Sequence, residues 1–292
     1  MTPLMIHKIA LVASSIIGAG FALLAVMALW PALRSKSLAL MGTLLSATLI
    51  MLCLCGLFMM GPQVLIAAGA LAAARISYEV ATLRFSQDRY VILCVTTATV
   101  LTVSSALYVP VALACAALWF GLFACKACAI TVHKYRITNI LLFPVLPFAL
   151  LAHGAVSPNL TALMLATYVM VEIFDSFALF FGSLLGRTKA FPGVSPNKTV
   201  EGLVGGAAAL LLAACAAAII WGFPLALTAP TALLTGGLAV AGDLAASRHK
   251  RLAGVKDYPK FLPRQGGLLD SLDSWIAAGG GLTALNLLIY LW

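Results

Sequence analysis

Long runs without a charged residue dominate the chain, and short clusters of charge separate them. The charge-free runs are 9–33, 37–74, 90–125, 137–171, 202–242 and 274–292. A helix crosses a bilayer with about 20 apolar residues, so the first and last runs fit one crossing each and the four middle runs fit two. The middle runs contain turn-forming residues near their centres, at Gly61-Pro62, Pro110, 154–159 and 222–230. The pattern predicts about ten transmembrane helices.

The kind of secondary structure follows from the continuity of these runs. They do not alternate with the period of two that strands of a membrane barrel show, so helices are favoured over a β-barrel. Hydrophobic residues make up 63% of the chain and charged residues 9%, whereas soluble domains are about half apolar and about a quarter charged. The sequence therefore predicts an all-α, polytopic integral membrane protein.

The positions of lysine and arginine predict the orientation. With ten helices, the cation clusters at 34–36, 75–89, 134–136, 187–198 and 248–264 fall on one side. By the positive-inside rule that side is cytoplasmic, with both termini on the other side, and we expect a bacterial inner (cytoplasmic) membrane. The net charge of +9 then indicates topology and attraction to anionic membrane lipids, and no nucleic-acid partner is expected.

Two carboxylates lie inside a predicted spanning helix. Glu172 and Asp175 are three residues apart, which places them on one helical face. A carboxylate at this depth costs about 3 kcal/mol on insertion scales, so a polar cavity, a partner or an ion is expected beside it. A structural pair near a helix end is the alternative. A functional role is favoured more strongly for Asp175, which is nearer the cytoplasmic side.

The segment 194–202 has the features of an anion site. Ser195 can cap a helix whose first position is Pro196, with Lys198 in its first turn and Thr199 alongside. Free N–H groups, the positive helix end and a lysine together attract an anion. An ordinary cap with a lysine at the lipid headgroups is the alternative.

The densest charge lies near the C-terminus, where nine of the 27 charged residues (18 basic plus 9 acidic) fall between Ser247 and Asp273. Asp243 is expected to end the ninth helix, and Asp270 and Asp273 share one face as the tenth begins. These acids and Asp257 lie among four cations, a composition that suits a divalent metal with polyphosphate: Lys250, Arg251, Lys256 and Arg264. Gly266-Gly267 would let the backbone approach a phosphate closely. A solvated basic loop is the alternative, but it explains the cations and not the acids.

This segment resembles the signature of the phosphatidate cytidylyltransferase (CDP-diacylglycerol synthase) family, S-x-apolar-K-R-x4-K-D-x-small-x2-apolar-P-x-H-G-G-apolar-x-D-R-apolar-D. The residues that match in register are Ser247, Lys250, Arg251, Lys256, Asp257, Leu262, Pro263, Gly266, Gly267, Leu268, Asp270, Leu272 and Asp273. The earlier segment is similar to the family's intramembrane aspartate, FFG-like element and V-S-P-x-K-T-x-E-G, at Asp175, 180–182 and 194–202. Four positions depart from the pattern. His249 replaces an aliphatic residue, Pro259 a small one, Gln265 a histidine and Ser271 an arginine.

The resemblance implies that a phosphate oxygen of phosphatidic acid attacks the α-phosphorus of CTP, so that pyrophosphate leaves and CDP-diacylglycerol stays in the membrane. Such a transfer depends on positioning and charge neutralisation, and we expect Mg²⁺ at two divalent sites. The residues assigned to metal are Asp175, Asp243, Asp270 and Asp273, with Asp257 as a further catalytic residue. The residues assigned to substrate phosphates are Ser195, Lys198, Thr199, Ser247, Lys250, Arg251, Lys256, Gln265, Gly266 and Gly267.

The chain is accordingly divided into N-terminal transmembrane helices, 1–136, and a C-terminal transmembrane catalytic region, 137–292, with its motifs on the cytoplasmic side. The expected partners are CTP, phosphatidic acid or a related lipid phosphate, and membrane lipids, and a homodimer is left open. Three alternatives also stay open: a divergent paralogue with another lipid phosphate or nucleotide, a pseudoenzyme without turnover, and a transporter that uses Glu172 and Asp175 as an ion relay.

Overall fold

A computed structural model describes residues 3–124, 135–259 and 266–289. The helices are α1 Pro3–Ala28, α2 Pro31–Met59, α3 Pro62–Arg84, α4 Asp88–Leu107, α5 Val109–Ala124, α6 Arg136–Ile140, α7 Leu146–Val156, α8 Thr161–Leu185, α9 Val200–Trp221, α10 Leu225–Leu252 and α11 Leu268–Ile289. A π-helical turn, Leu141–Val145, joins α6 to α7, and an antiparallel hairpin, β1 Lys189–Phe191 and β2 Ser195–Thr199, separates α8 from α9.

The described part of the chain contains nine helices that are long and apolar enough to cross a membrane, with α6, the π-turn and α7 counted as one span. The apolar helix α5 is shorter. The prediction of an all-α polytopic membrane protein with about ten helices is therefore confirmed. All four predicted breaks separate helices, and Pro62 stands at the start of α3, where a missing N–H costs nothing. The side of the membrane on which the termini lie stays a prediction.

Two helices continue past the ends of the charge-free runs. The third helix ends at Arg84 and not near Ala74, and α10 ends at Leu252, so the expectation that Asp243 ends its helix was wrong. Long charged side chains near a helix end reach water or a partner while the backbone stays helical. Asp243, Ser247 and Lys250 consequently lie along the last turns of one helix.

The predicted cap at Ser195 was also wrong. Residues Ser195–Thr199 form β2, which pairs with β1, and α9 begins only at Val200. Thr199 is the N-cap, and its Oγ1 accepts a hydrogen bond from the N–H of Gly202 at 3.2 Å. Because backbone pairing with β1 holds the segment extended, Lys198 lies in a strand and not in the first helical turn.

The central helices α7 and α11 are mostly buried, whereas α1 and α2 are mostly exposed at the edge of the bundle. The indole N–H of Trp275 donates to the carbonyl of Met164 at 3.0 Å, which fixes α11 against α8. The buried His249 Nε2 lies 3.0 Å from the Phe143 carbonyl, so one departure from the family pattern ties α10 to the π-turn. A Cβ added at Gly242 would collide with the Asp273 carbonyl, and this close approach brings Asp243 beside α11.

Candidate active site

A polar cavity of about 450 Å³ lies where the ends of α8 and α10 meet β2 and the start of α11. We call it the carboxylate cavity. Its charged lining residues are Asp175, Lys198, Asp243, Asp270 and Asp273, and its polar lining includes Ser183, Ser195, Asn197, Thr199 and Ser274. Four separate segments of the chain thus bring together three predicted phosphate ligands of β2 and four predicted metal ligands.

Lys198 forms an ion pair with Asp243 inside this cavity. Its Nζ lies 2.7 Å from Asp243 Oδ2, and the exposed fractions of the two side chains are 21% and 23%, so a solute that enters the cavity reaches both. Burial lowers the pKa of Lys198, but the carboxylates of Asp243 and Asp175 raise it by more, and the net pKa lies above its ordinary value. Lys198 therefore stays cationic and can pair with a phosphate.

Asp273 is the most enclosed of the cavity carboxylates. The residue is buried, and its Oδ1 accepts a hydrogen bond from the N–H of Ser274 at 2.6 Å. Across the cavity, the hydroxyl of Ser247 lies 3.5 Å from Asp243 Oδ1, one helical turn away on α10. The predicted phosphate ligand Ser247 is thus placed beside a carboxylate.

Asp270 lines the cavity and also bonds to three residues near the ends of α10 and α11. Its Oδ1 lies 2.5 Å from Lys250 Nζ, and its Oδ2 accepts hydrogen bonds from the N–H groups of Gly267 at 2.9 Å and Tyr258 at 3.2 Å. The contact with Gly267, the residue before α11, is the half of a capping box in which a side chain reaches back to the helix start. Asp270 therefore closes the loop between α10 and α11, and its role as a metal ligand stays a prediction.

Tyr258 and Lys250 pack against each other beside Asp270. Lys250 Nζ lies 5.4 Å from the centre of the Tyr258 ring, within the range of a cation–π contact. Burial raises the pKa of the Tyr258 hydroxyl well above its ordinary value. The neutral hydroxyl donates to the carbonyl of Ala246 at 3.1 Å, which fastens the loop to α10.

Glu79 of α3 is a supporting residue to which the sequence patterns assigned no role. Its fully buried carboxylate accepts hydrogen bonds from the N–H groups of Leu268 at 2.8 Å and Leu269 at 2.9 Å, so it caps α11 from another helix. Arg75, one turn earlier, lies 2.8 Å from Glu79 and also donates to the Pro259 carbonyl at 3.2 Å. A charged pair four residues apart in an apolar helix was the available signal.

The two glycines before α11 allow a close approach of protein groups. A Cβ added at Gly267 would meet the Glu79 carboxylate and the Tyr258 side chain, and one added at Gly266 would meet the Asp270 carboxylate. Their predicted contact with a substrate phosphate stays a prediction.

The remaining predicted residues lie away from the cavity lining. Arg251 is exposed, with Nε 3.4 Å from the Val194 carbonyl and Nη1 3.2 Å from that of Val255, so it braces the hairpin against the loop. Lys256 and Asp257 are exposed in that loop. Gln265, together with Leu262, Pro263 and Arg264, lies outside the described residues. Glu172 lines a different, apolar cavity, although it was expected to share a face with Asp175.

The donor groups of the cavity suit a divalent metal. Asp175, Asp243 and Asp273 offer the carboxylate oxygens that Mg²⁺ prefers, and Lys198 is the only described cation lining the cavity against them. The donor chemistry therefore fits. Within the described residues no three acidic, histidine or cysteine side chains converge as a ready ligand set, and Lys198 is held against Asp243.

The long apolar helices define an integral membrane protein. Its cavity, which is lined by carboxylates and a lysine, is suited to phosphate chemistry. Comparison with known proteins specifies the chemistry further. The model of the "Cytidylyltransferase family" matches residues 12–289. The chain belongs to the cytidylyltransferase family, which confirms the resemblance found in the signature segments.

Individual relatives match part of the chain. The phosphatidate cytidylyltransferase of Staphylococcus saprophyticus is 38% identical over 128 residues, which are 43% of this chain and 48% of that protein. The phosphatidate cytidylyltransferase of Brucella abortus is 43% identical over 117 residues, 38% of this chain and 42% of that protein. The chain thus spans about half the length of the curated relatives it matches.

Proposed function

We propose that this enzyme transfers the cytidylyl group of CTP to phosphatidic acid, giving CDP-diacylglycerol and pyrophosphate. The observation that carries the proposal is the carboxylate cavity, with Lys198 inside it, at the depth of spanning helices. Asp175 lies ten residues before the end of α8, about 15 Å along the helix axis. The cavity lining runs from Asp175 to Ser195 and Asn197 of the hairpin, so a lipid headgroup and a soluble nucleotide can meet in it. The names of the relatives support this lipid and this nucleotide.

In the proposed reaction a phosphate oxygen of phosphatidic acid forms a bond to the α-phosphorus of CTP. The bond between that phosphorus and the oxygen that bridges to the β-phosphate breaks, and its electron pair leaves with pyrophosphate. Both reactants are anions, so positive charge is needed where they approach. Lys198, cationic and reachable from the cavity, is proposed to hold a phosphate there, while Ser195 orients it from the same strand.

We propose Asp175, Asp243 and Asp273 as the residues that would hold Mg²⁺, at two divalent sites. The bound ions would neutralise phosphate charge and orient the attacking and leaving oxygens. Asp270 and Lys250 are proposed to keep the start of α11 in place, so that Asp273 faces the cavity. The cation clusters support a bacterial cytoplasmic membrane, with the cavity open to the cytoplasm where CTP is found.

The test uses the purified protein in lipid nanodiscs with base-labelled CTP, Mg²⁺ and a panel of lipid phosphates. We expect label to enter the lipid phase with phosphatidic acid, with one pyrophosphate released per lipid product. The Asp243→Asn variant and a chelator should each remove the product. Ser183→Ala, at the rim of the same cavity, serves as the matched control.

Three results would overturn the proposal. Product formed only with another lipid phosphate would identify a divergent paralogue. CTP binding without product from any lipid would indicate a pseudoenzyme. Ion flux across liposomes in the absence of CTP, again without lipid product, would favour the transporter.

A further inference from the structure

An apolar groove of about 530 Å³ lies between α1, α2, α8 and α9. One wall comes from α1 and α2 and includes Ile17 and Met51, and the other comes from α8 and α9 and includes Phe177, Ala209 and Leu212. We call it the apolar groove. The small side chain of Ala209 leaves space that a larger residue on α9 would fill.

The length of the apolar groove matches one leaflet of a bilayer. Its lining on α8 runs from Val169 to Phe181, a rise of about 18 Å at 1.5 Å per residue. Half of the hydrocarbon core measures about 15 Å. The groove can therefore accommodate an acyl chain that extends through one leaflet.

The apolar groove lies next to the carboxylate cavity along α8. A smaller cavity of about 90 Å³ shares Ser176 and Phe177 with the apolar groove. The same small cavity shares Leu179 with the carboxylate cavity. The carboxylates and an apolar space of acyl-chain length thus adjoin one another around α8.

We propose that the apolar groove binds one fatty acyl chain of the lipid phosphate whose headgroup lies in the carboxylate cavity. This inference rests on the proposed function, because it requires a lipid substrate. Surrounding lipid is as apolar as the groove, so the groove contributes little driving force. Its contribution is position: a chain held along α8 limits where the attached phosphate can lie relative to Asp175.

The kinetic test fills the groove with Ala209→Phe. The matched control is Ala216→Phe, about two turns further along α9, where the alanine is exposed and lines neither the apolar groove nor the carboxylate cavity. We expect Ala209→Phe to lower kcat with long-chain phosphatidic acid about tenfold, because the chain no longer positions the attached phosphate. The KM for CTP and the kcat with a short-chain phosphatidic acid should stay unchanged, and the control should behave as wild type.

A second readout does not depend on turnover. A phosphatidic acid with a diazirine on one acyl chain should photolabel the groove-lining segments of α8 and α9 in the wild type. Excess phosphatidic acid should compete with this labelling and phosphatidylcholine should not. The labelling should be lost in Ala209→Phe and kept in Ala216→Phe.

The outcomes separate this inference from the proposed function. If the wild type forms no nucleotide-lipid product with any lipid phosphate, the proposed function fails. If product forms but Ala209→Phe leaves the chain-length dependence unchanged, the groove assignment alone is overturned. Equal competition by phosphatidylcholine would likewise overturn it, because the groove would then hold bulk lipid.

Discussion

Glu79→Gln tests how strongly a helix of the N-terminal half controls the start of α11 and the carboxylate cavity beside it. The buried carboxylate accepts two backbone hydrogen bonds at the start of α11 and pairs with Arg75. Glutamine keeps one acceptor oxygen, but its side-chain NH2 group is a donor. It cannot accept the hydrogen bond of the second backbone N–H. The variant therefore loses one charge-assisted hydrogen bond, worth about 1.5–3 kcal/mol, and about 0.5 kcal/mol of favourable interaction with the helix N-terminus.

The expected consequence is a displaced first turn of α11 and a misplaced Asp273. If the whole loss of about 2–3.5 kcal/mol appears in the transition state, turnover falls by about 30-fold to 400-fold. Glu79 does not line the carboxylate cavity, so the KM for CTP should change much less than kcat. Because α11 carries Asp273, the Mg²⁺ concentration for half-maximal rate should rise, which a general loss of folded protein would not cause.

The assay measures kcat, the KM for CTP and the Mg²⁺ dependence in nanodiscs, with thermal unfolding followed in parallel. Tyr78→Phe is the control, since it alters the neighbouring, largely exposed residue and keeps the ring near Arg75. Wild-type kcat and Mg²⁺ dependence in Glu79→Gln would refute the reasoning, because capping of α11 would then not govern the cavity.

Three further predictions follow from the site. Asp273→Asn should abolish turnover with little change in Tm. Asp270→Asn should lower Tm as well, because breaking its largely buried ion pair with Lys250 costs about 3 kcal/mol. Activity measured together with thermal unfolding distinguishes the two variants, and normal turnover in Asp273→Asn would remove that residue from the site. The pKa of Lys198 is raised above its reference of about 10.4, so Lys198 loses its proton only above that pH. Deprotonation of Lys198 should therefore cause no loss of kcat/KM between about pH 7 and about pH 9. A one-proton loss of kcat/KM in that range, absent in Lys198→Arg, would contradict this. In Lys256→Cys, a membrane-impermeant thiol reagent should label the exposed loop only from the cytoplasmic face, and labelling from outside would invert the proposed topology.

Local patterns in the chain were sufficient for the architecture. Apolar runs of membrane length predicted the helices, and Gly61-Pro62 and similar pairs predicted the breaks, because both depend on neighbouring residues alone. The family signature likewise lies in two continuous segments, and its carboxylates Asp175, Asp243 and Asp273 do line one cavity. Helix ends were less accurate, since Arg84 and Leu252 follow charges that the apolar pattern treats as loop.

Contacts between distant segments could not be predicted in this way. Hydropathy indicates that a helix is in the membrane but not which face meets which neighbour, so it could not show that Glu79 caps α11. The strand that holds Lys198 against Asp243 depends on pairing with β1, which outweighs the local capping preference of Ser195. The sequence by itself determined a helical membrane protein with a cytidylyltransferase signature. Only the tertiary structure decided which charges pair, which of them face the cavity and where the apolar groove lies, because helix packing sets those distances.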